Sequence, residues 1–303
     1  MKRWIALAVL AVMLFSAGCS GAEAKKLPID LSPGAPYSAE YSQGDYEIYE
    51  DPTIRAERFR IVSGVREFSC TIYYAIITIG DASQLRTYPA NGTNFAKTLK
   101  ESSVWMAKQV NAVVAINGDY PPMFTGTPKV SYVLRQGKVY RETVDEKLDL
   151  LLIDEDGDFH VLRREEDLAG IDKTQINGKK VINAFQFGPA LIIDGEPVDD
   201  ATLLDRSRSP EQANPREREQ RMIICQIDTL KYMAVCVAHW GASLPIMRDI
   251  ALYLAPSCRV AYVLDGGNSS QLVFLGRICN NVNTANGKKR PLADIIYFAS
   301  ANY

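Results

Sequence analysis

The sequence predicts an α+β protein with mixed β-sheets, several hairpins, a few packed helices and a pocket at strand ends. Three observations carry that reading. Short runs rich in Val, Ile, Tyr and Phe recur along the chain, each bounded by Gly, Asp, Asn or Pro turn signals. Two segments, 98–109 and 245–254, carry helical rather than alternating spacing of their apolar residues. With 303 residues, 47% of them hydrophobic, the chain is long enough to bury a substantial core. No self-similar period marks a solenoid or propeller. A net charge of −2, with no basic excess, argues against a nucleic-acid partner held by phosphate neutralisation.

The first residues read as an export signal. Lys2 and Arg3 precede an apolar run from Trp4 to Phe15, which ends in Ser16-Ala17-Gly18-Cys19. That run is short for a membrane span. Cys19 after Ala-Gly is similar to a bacterial lipoprotein processing site, where it would become the lipidated first residue, although Ser16 stands where such sites usually have leucine. The sequence thus divides into a lipoprotein-type signal peptide at 1–19, a Ser/Gly/Pro/Ala-rich tether at 20–45, and a folded domain at 46–303. The expected location is the outer face of a bacterial membrane, with a lipid anchor as the membrane contact. Besides Cys19 there are Cys70, Cys225, Cys236, Cys258 and Cys279, an odd number without metal-ligand spacing. They read as structural, with Cys225–Cys236 or Cys258–Cys279 as conceivable pairs.

Taken in order, 59–62 and the long β-branched run 70–79 predict strands, and 81–85 a turn. The 98–109 helix, with Val104, Trp105 and Lys108 at helical spacing, leads into a fully apolar strand, 112–116. Hairpins follow at 130–141 around Gln136-Gly137 and at 148–162 around Glu155-Asp156-Gly157. His160, on the second of these, reads as a solvent-facing strand residue. In 181–193, Gly188-Pro189 interrupts an apolar strand, which predicts a bulge or the close approach of a ligand. Residues 199–220 are charged and prolyl, either a mobile lid or a solvated connection. A hairpin at 221–238 ends in His239-Trp240-Gly241, the second helix follows, and 260–264, 272–275 and 290–298 supply the last apolar runs.

Two strand ends concentrate polar chemistry. One is Asn117-Gly118-Asp119 after the 112–116 strand; the other is Asp265-Gly266-Gly267-Asn268-Ser269-Ser270 after the 260–264 strand. Both also fit plain turns, and Asp-Gly is a strong hairpin signal. If the two ends neighbour each other in one sheet, Asn117, Asp119 and Asp265 line a common pocket. Arg221, at the mouth of its strand, is either a bidentate anion ligand or an edge charge. No cofactor is called for; a divalent cation between Asp119 and Asp265 is conceivable, but no calcium-loop motif supports a metal site.

Asn117-Gly118-Asp119-Tyr120, Phe187-Gly188-Pro189-Ala190-Leu191, Arg221 opening its strand, and Leu264-Asp265-Gly266-Gly267-Asn268-Ser269-Ser270 occur in the order seen in bacterial phosphodiester glycosidases. Over 50–303 the chain resembles that family, which is related to the animal lysosomal uncovering enzyme, N-acetylglucosamine-1-phosphodiester alpha-N-acetylglucosaminidase. The resemblance implies a hydrolase that cuts between a sugar's anomeric carbon and a phosphodiester oxygen in envelope or extracellular glycans. It implies Asp265 and Asp119 as catalytic carboxylates. Asn117, Gly118, Gly188, Arg221, Gly266, Gly267, Asn268, Ser269 and Ser270 would bind the substrate, a sugar phosphodiester or polysaccharide. The chain departs from the family in Asn268, where relatives carry a third glycine, and in Ala238-His239-Trp240, where relatives have Asp-Gly-Arg. His239 then offers a cation or base and Trp240 a ring to stack on sugar. The other reading of the same departure is a carbohydrate-binding surface lipoprotein that has lost catalysis.

Overall fold

The computed structural model describes residues 33–37, 44–62, 68–92, 94–95, 99–118, 131–209, 213–281 and 289–301. Cys19, Asp119 and most of the tether lie outside the described residues. Strands dominate, in three sheets. The largest has eight strands, in the spatial order Tyr46–Glu50, Ile54–Ile61, Thr71–Ile79, Lys231–Ala242, Glu219–Asp228, Val260–Leu264, Ala190–Ile193 and Glu196–Pro197. A five-stranded sheet runs Arg277–Ile278, Leu272–Phe274, Ala112–Asn117, Asp294–Ala299, Leu85–Pro89. In the third, Lys138–Arg141, Val133–Arg135, Lys179–Phe185, Leu150–Asp154 and Phe159–Leu162 lie side by side, and Gln175–Ile176 also pairs with Lys179–Phe185. Every pairing among these strands is antiparallel, so the mixed sheets expected from sequence are corrected. The physical reason is the tight turns: Gln136-Gly137, Asn177-Gly178, Asp194-Gly195 and Leu275-Gly276 all take positive φ at both positions, the conformation of two-residue hairpins.

The eight-stranded sheet is buried on both faces. One face packs Tyr73, Ala75, Met222, Ile224, Tyr262 and Leu264 against side chains of the other two sheets, such as Ile116, Phe274, Phe185 and Phe298. The opposite face is covered by the helix Leu244–Leu254 through Leu244, Met247, Ile250 and Ala251. This double burial explains why its central strands read as continuous apolar runs instead of alternating ones. The shorter helix Ser103–Gln109 covers the outer face of the five-stranded sheet with Met106 and Ala107, while Trp105 stays 41% exposed. The expected inward spacing through Trp105 is therefore rotated by one position.

Residues 33–37, inside the expected tether, already dock on the body. Gly34 N–H donates to the Val110 carbonyl at 2.9 Å, Ala35 N–H to Ser300 at 3.0 Å, and the Tyr37 hydroxyl to Ala112 at 2.9 Å. The expected lid is also anchored over its described residues: Asp200–Leu203 forms a helical turn, and Leu244 N–H donates to the Pro215 carbonyl at 3.0 Å. The five cysteines among the described residues are free thiols, and the pairs considered from sequence are not the neighbours found. Cys225 packs with Cys258 on the helix-covered face, whereas Cys236 neighbours Cys279 on the other. Consecutive strand residues face opposite sides, and Cys225 lies opposite Met233, not Cys236.

Candidate functional site

Asp265 and Asn117 do meet, but not as neighbours in one sheet. Val260–Leu264 belongs to the eight-stranded sheet and Leu272–Phe274 pairs with Ala112–Asn117 in the five-stranded one. Residues 265–271 are therefore a crossing between sheets, not a hairpin turn. Asn117 clamps the crossing at both ends. Its Nδ2 donates to the Asp265 carbonyl at 2.9 Å, and its Oδ1 accepts from Gln271 N–H at 3.3 Å. Asn280 repeats the device: its Oδ1 accepts from Leu272 N–H and its Nδ2 donates to the Ser270 carbonyl, both at 2.8 Å. Gln271 completes the brace by accepting from Ser103 Oγ and donating to the Arg290 carbonyl, each at 2.7 Å. Three buried amides thus hold the crossing before any ligand arrives, the pre-organisation a catalytic loop needs.

Within the crossing, Gly267–Ser269 forms one turn of 3-10 helix. Ser269 N–H donates to Gly266 and Ser270 N–H to Gly267, both at 3.1 Å. These two amides close the turn. The Ser269 and Ser270 hydroxyls are buried without a hydrogen-bond partner. Gly266 is required by proximity, since a Cβ there would lie 2.9 Å from the Gln220 carbonyl oxygen. Gly267 takes φ +56 with open space around it. Asn268 contributes its carbonyl, 3.5 Å from Gln271 Nε2.

The Asp265 side chain is nearly buried, at 5% exposure. One cation that the sequence did not single out, Lys100, interacts with it, and Arg290 in turn interacts with Lys100. Burial pushes the Lys100 ammonium below the ordinary lysine range and the charge of Arg290 pushes it further, while Asp265 pulls it back. A carboxylate that interacts with a partly buried lysine, itself near a second cation, is a charge arrangement suited to an anionic leaving group.

Several of the other expected site residues make contacts within the protein. Gly118 permits a close approach of Asp294: a Cβ would lie 2.4 Å from Asp294 Oδ1. The Asp294 carboxylate is held by the fully buried Arg135, Nε to Oδ2 at 2.9 Å. Gly188, at φ +62, lets the chain pass the Tyr262 hydroxyl, 3.3 Å from its would-be Cβ. The Tyr262 hydroxyl donates to the Asp149 carbonyl at 2.7 Å and accepts from Phe187 N–H at 3.0 Å, so the close approach expected there is to protein. Arg221 is 2% exposed; its guanidinium donates to the carbonyls of Ala242 at 3.3 Å, Asn214 at 2.5 Å and Glu217 at 3.3 Å, and it pairs with Glu219 at 3.4 Å. It ties 213–219 to the end of the long hairpin. His239 lies in the bulged end of the Lys231–Ala242 strand, and its side chain is outside the described residues. Trp240, at φ +66, is 68% exposed, with its carbonyl accepting from Arg218 Nε at 3.2 Å. His160 is not simply solvent-facing, since its Nε2 lies 2.9 Å from Asp154 Oδ2.

The family model described as phosphodiester glycosidase matches residues 110–299, which span the Asn117 clamp, Arg221 and Asp265. The chain belongs to the phosphodiester glycosidase family. Its fold is similar to that of the zebrafish N-acetylglucosamine-1-phosphodiester alpha-N-acetylglucosaminidase catalytic domain, auto-inhibited by its pro-peptide. That likeness has a TM-score of 0.64 at 16% identity, covering 85% of this chain and 89% of that one. A hypothetical protein from Synechocystis matches with a TM-score of 0.57 at 15% identity over 83% of this chain and 63% of the other. In sequence, this phosphodiester glycosidase relative is 24% identical over 208 residues to the SPbeta prophage-derived uncharacterized protein YomE of Bacillus subtilis strain 168. That match spans 67% of the chain but only 30% of YomE.

Proposed function

We propose that this family member hydrolyses the glycosidic C–O bond of a sugar-1-phosphodiester in envelope or extracellular glycans. The observation that carries the reading is Asp265: a near-buried carboxylate interacting with Lys100, which also feels Arg290, on a crossing braced by Asn117, Asn280 and Gln271. In the reaction, the bond from the anomeric carbon to the phosphodiester oxygen breaks and the phosphate group leaves with the electron pair. Water supplies the hydroxyl that ends on the anomeric carbon. A phosphate leaves with stable negative charge, so electrostatic stabilisation matters more than a strong general acid. Asp265 stabilises the oxocarbenium-like centre, as nucleophile or as base toward water. Lys100 and Arg290 face the charge developing on phosphate, and Asp119 is the second carboxylate by family position. Exposed Trp240 offers a stacking face for a sugar ring.

Export and anchoring through Cys19 belong to the same proposal, supported by Lys2-Arg3, the apolar run after them and Cys19 itself. The test is sugar release from a panel of UDP-linked and other phosphodiester-linked sugars by the purified chain. Release from at least one donor is the expected result. Sugar binding without release from any donor would overturn the hydrolase reading in favour of a binding lipoprotein, the reading suggested by Ala238-His239-Trp240.

A further inference from the structure

A cavity of about 270 Å³ opens where the Ile54–Ile61 strand passes the Arg277–Ile278 strand, lined by Arg58, Arg60, Tyr73, Arg277, Cys279 and Asn281. None of the residues assigned to the reaction above lines it. Its charge is unbalanced. Glu47, 8% exposed, is shared by two arginines: Arg58 reaches one carboxylate oxygen, with Nε at 2.8 Å, and Arg277 Nη2 reaches the other. The third arginine, Arg60, has Asp45 at 3.3 Å, with the two side chains 38% and 60% exposed, a pair that solvent screens heavily. Its Nε is buried without a hydrogen-bond partner among the described residues, and its guanidinium carbon lies 5.8 Å from the Tyr73 ring centroid. The Cys279 thiol does not balance the charge either. Burial pushes it up to about 11, although Arg58 and Arg277 pull it down, so it stays neutral near pH 7.

Three guanidinium groups against two carboxylates, Glu47 buried and Asp45 exposed, leave cationic charge that an incoming anion would neutralise, and planar guanidinium forks match the oxygens of a phosphate. We propose that this cavity is an anion site for a phosphate-type oxyanion, separate from the Asp265 centre. Two sources share that chemistry: free inorganic phosphate, and the next phosphodiester along an anionic glycan whose reacting unit sits at Asp265. The second source rests on the proposed hydrolysis; the binding itself does not. A physical link joins the two places. The Asn281 carbonyl on the cavity wall accepts from Gln220 Nε2 at 3.0 Å, and the Gln220 carbonyl abuts Gly266.

The test is calorimetric titration of the folded chain with inorganic phosphate, which does not read hydrolysis and so succeeds or fails apart from it. Wild type should bind, Arg60→Gln should weaken binding by about tenfold or more, and Arg60→Lys, which keeps charge but loses the fork, should fall between. Arg277→Gln provides a second, independent loss. No phosphate binding by the wild type, or binding by Arg60→Gln and Arg277→Gln as tight as by the wild type, would overturn the site. KM for donors with one and with several phosphodiesters then identifies the source. A rise in Arg60→Gln confined to the longer donor indicates the neighbouring phosphodiester; unchanged KM with lost phosphate binding indicates free phosphate.

Discussion

The Asn117 side chain donates to the Asp265 carbonyl at 2.9 Å, so the end of a strand in one sheet fixes the carboxylate-bearing end of a strand in another. The same amide accepts from Gln271 N–H, which closes the far side of the crossing. Position and chemistry of Asp265 therefore depend on a residue that need not touch substrate.

Asn117→Ala should cost about 2–4 kcal/mol, because it leaves a buried carbonyl and a buried N–H unpaired. That corresponds to a fall in melting temperature of roughly 5–15 °C. Activity should fall with it even where the protein remains folded, as Asp265 loses its fixed position. Thermal unfolding and kinetics on the same preparation check both; an unchanged melting temperature would remove the clamp from the account.

A glycine at the site and one in a remote hairpin separate by their surroundings. Gly118→Ala drives a methyl to within 2.4 Å of Asp294 Oδ1, whose carboxylate is committed to the buried Arg135, so neither partner can give way cheaply. A loss of more than about 2 kcal/mol is expected. Gly178→Ala, at φ +76 with nothing within 4 Å, should cost only about 1 kcal/mol, the left-handed backbone penalty. Urea midpoints for the two variants test the contrast.

Lys100→Met should lower the rate of sugar release by roughly 10- to 100-fold, the scale expected when one electrostatic stabiliser is removed. Since burial and Arg290 lower the Lys100 pKa, its charge is lost at a lower pH than for an ordinary lysine. Wild-type activity should accordingly decline on the alkaline side, and Lys100→Arg, which does not deprotonate there, should extend activity to higher pH. Identical alkaline limbs for the two would contradict a role for the Lys100 charge.

Acid stability should depend on Asp154. Burial pushes this carboxyl up, but hydrogen bonds from His160 and the Asp158 amide, with Lys179 nearby, outweigh burial and hold it below the ordinary aspartate range. A folded-state pKa below the unfolded one means the native state binds fewer protons, so the contribution is fully present above the unfolded pKa, about 4. It is lost as pH falls through the lower folded value. Asp154→Asn should therefore lower stability at neutral pH and flatten its decline below about pH 4. Urea midpoints between neutral pH and pH 2 measure this, and an equal slope in both proteins would refute it.

The sequence showed the strands well because most are apolar runs closed by Gly, Asn or Asp, and the short hairpins followed from Gln136-Gly137 and Glu155-Asp156-Gly157. It left 265–270 open between a hairpin turn and a pocket-forming strand end, because local turn chemistry carries no record of which sheet each flanking run joins. Asp265 and Asn117 stood out as polar residues ending buried strands. Lys100 and Arg290 did not, since isolated cations in polar segments look like any solvated charge. Asn280 and Gln271 left a weaker signal, being amides beside apolar runs, where burial obliges them to find partners. Arg221 was visible as an arginine at a strand mouth, but only coordinates show its guanidinium committed to backbone carbonyls.

The central claim is that the Asp265 carboxylate acts on a sugar-1-phosphodiester. The most direct measurement compares the rate of sugar release by wild type and Asp265→Asn on a phosphodiester-linked donor, with the fold verified by thermal unfolding. Loss of about a hundredfold or more in the variant, with the melting temperature retained, is the expected result. Equal rates in the two proteins would contradict it.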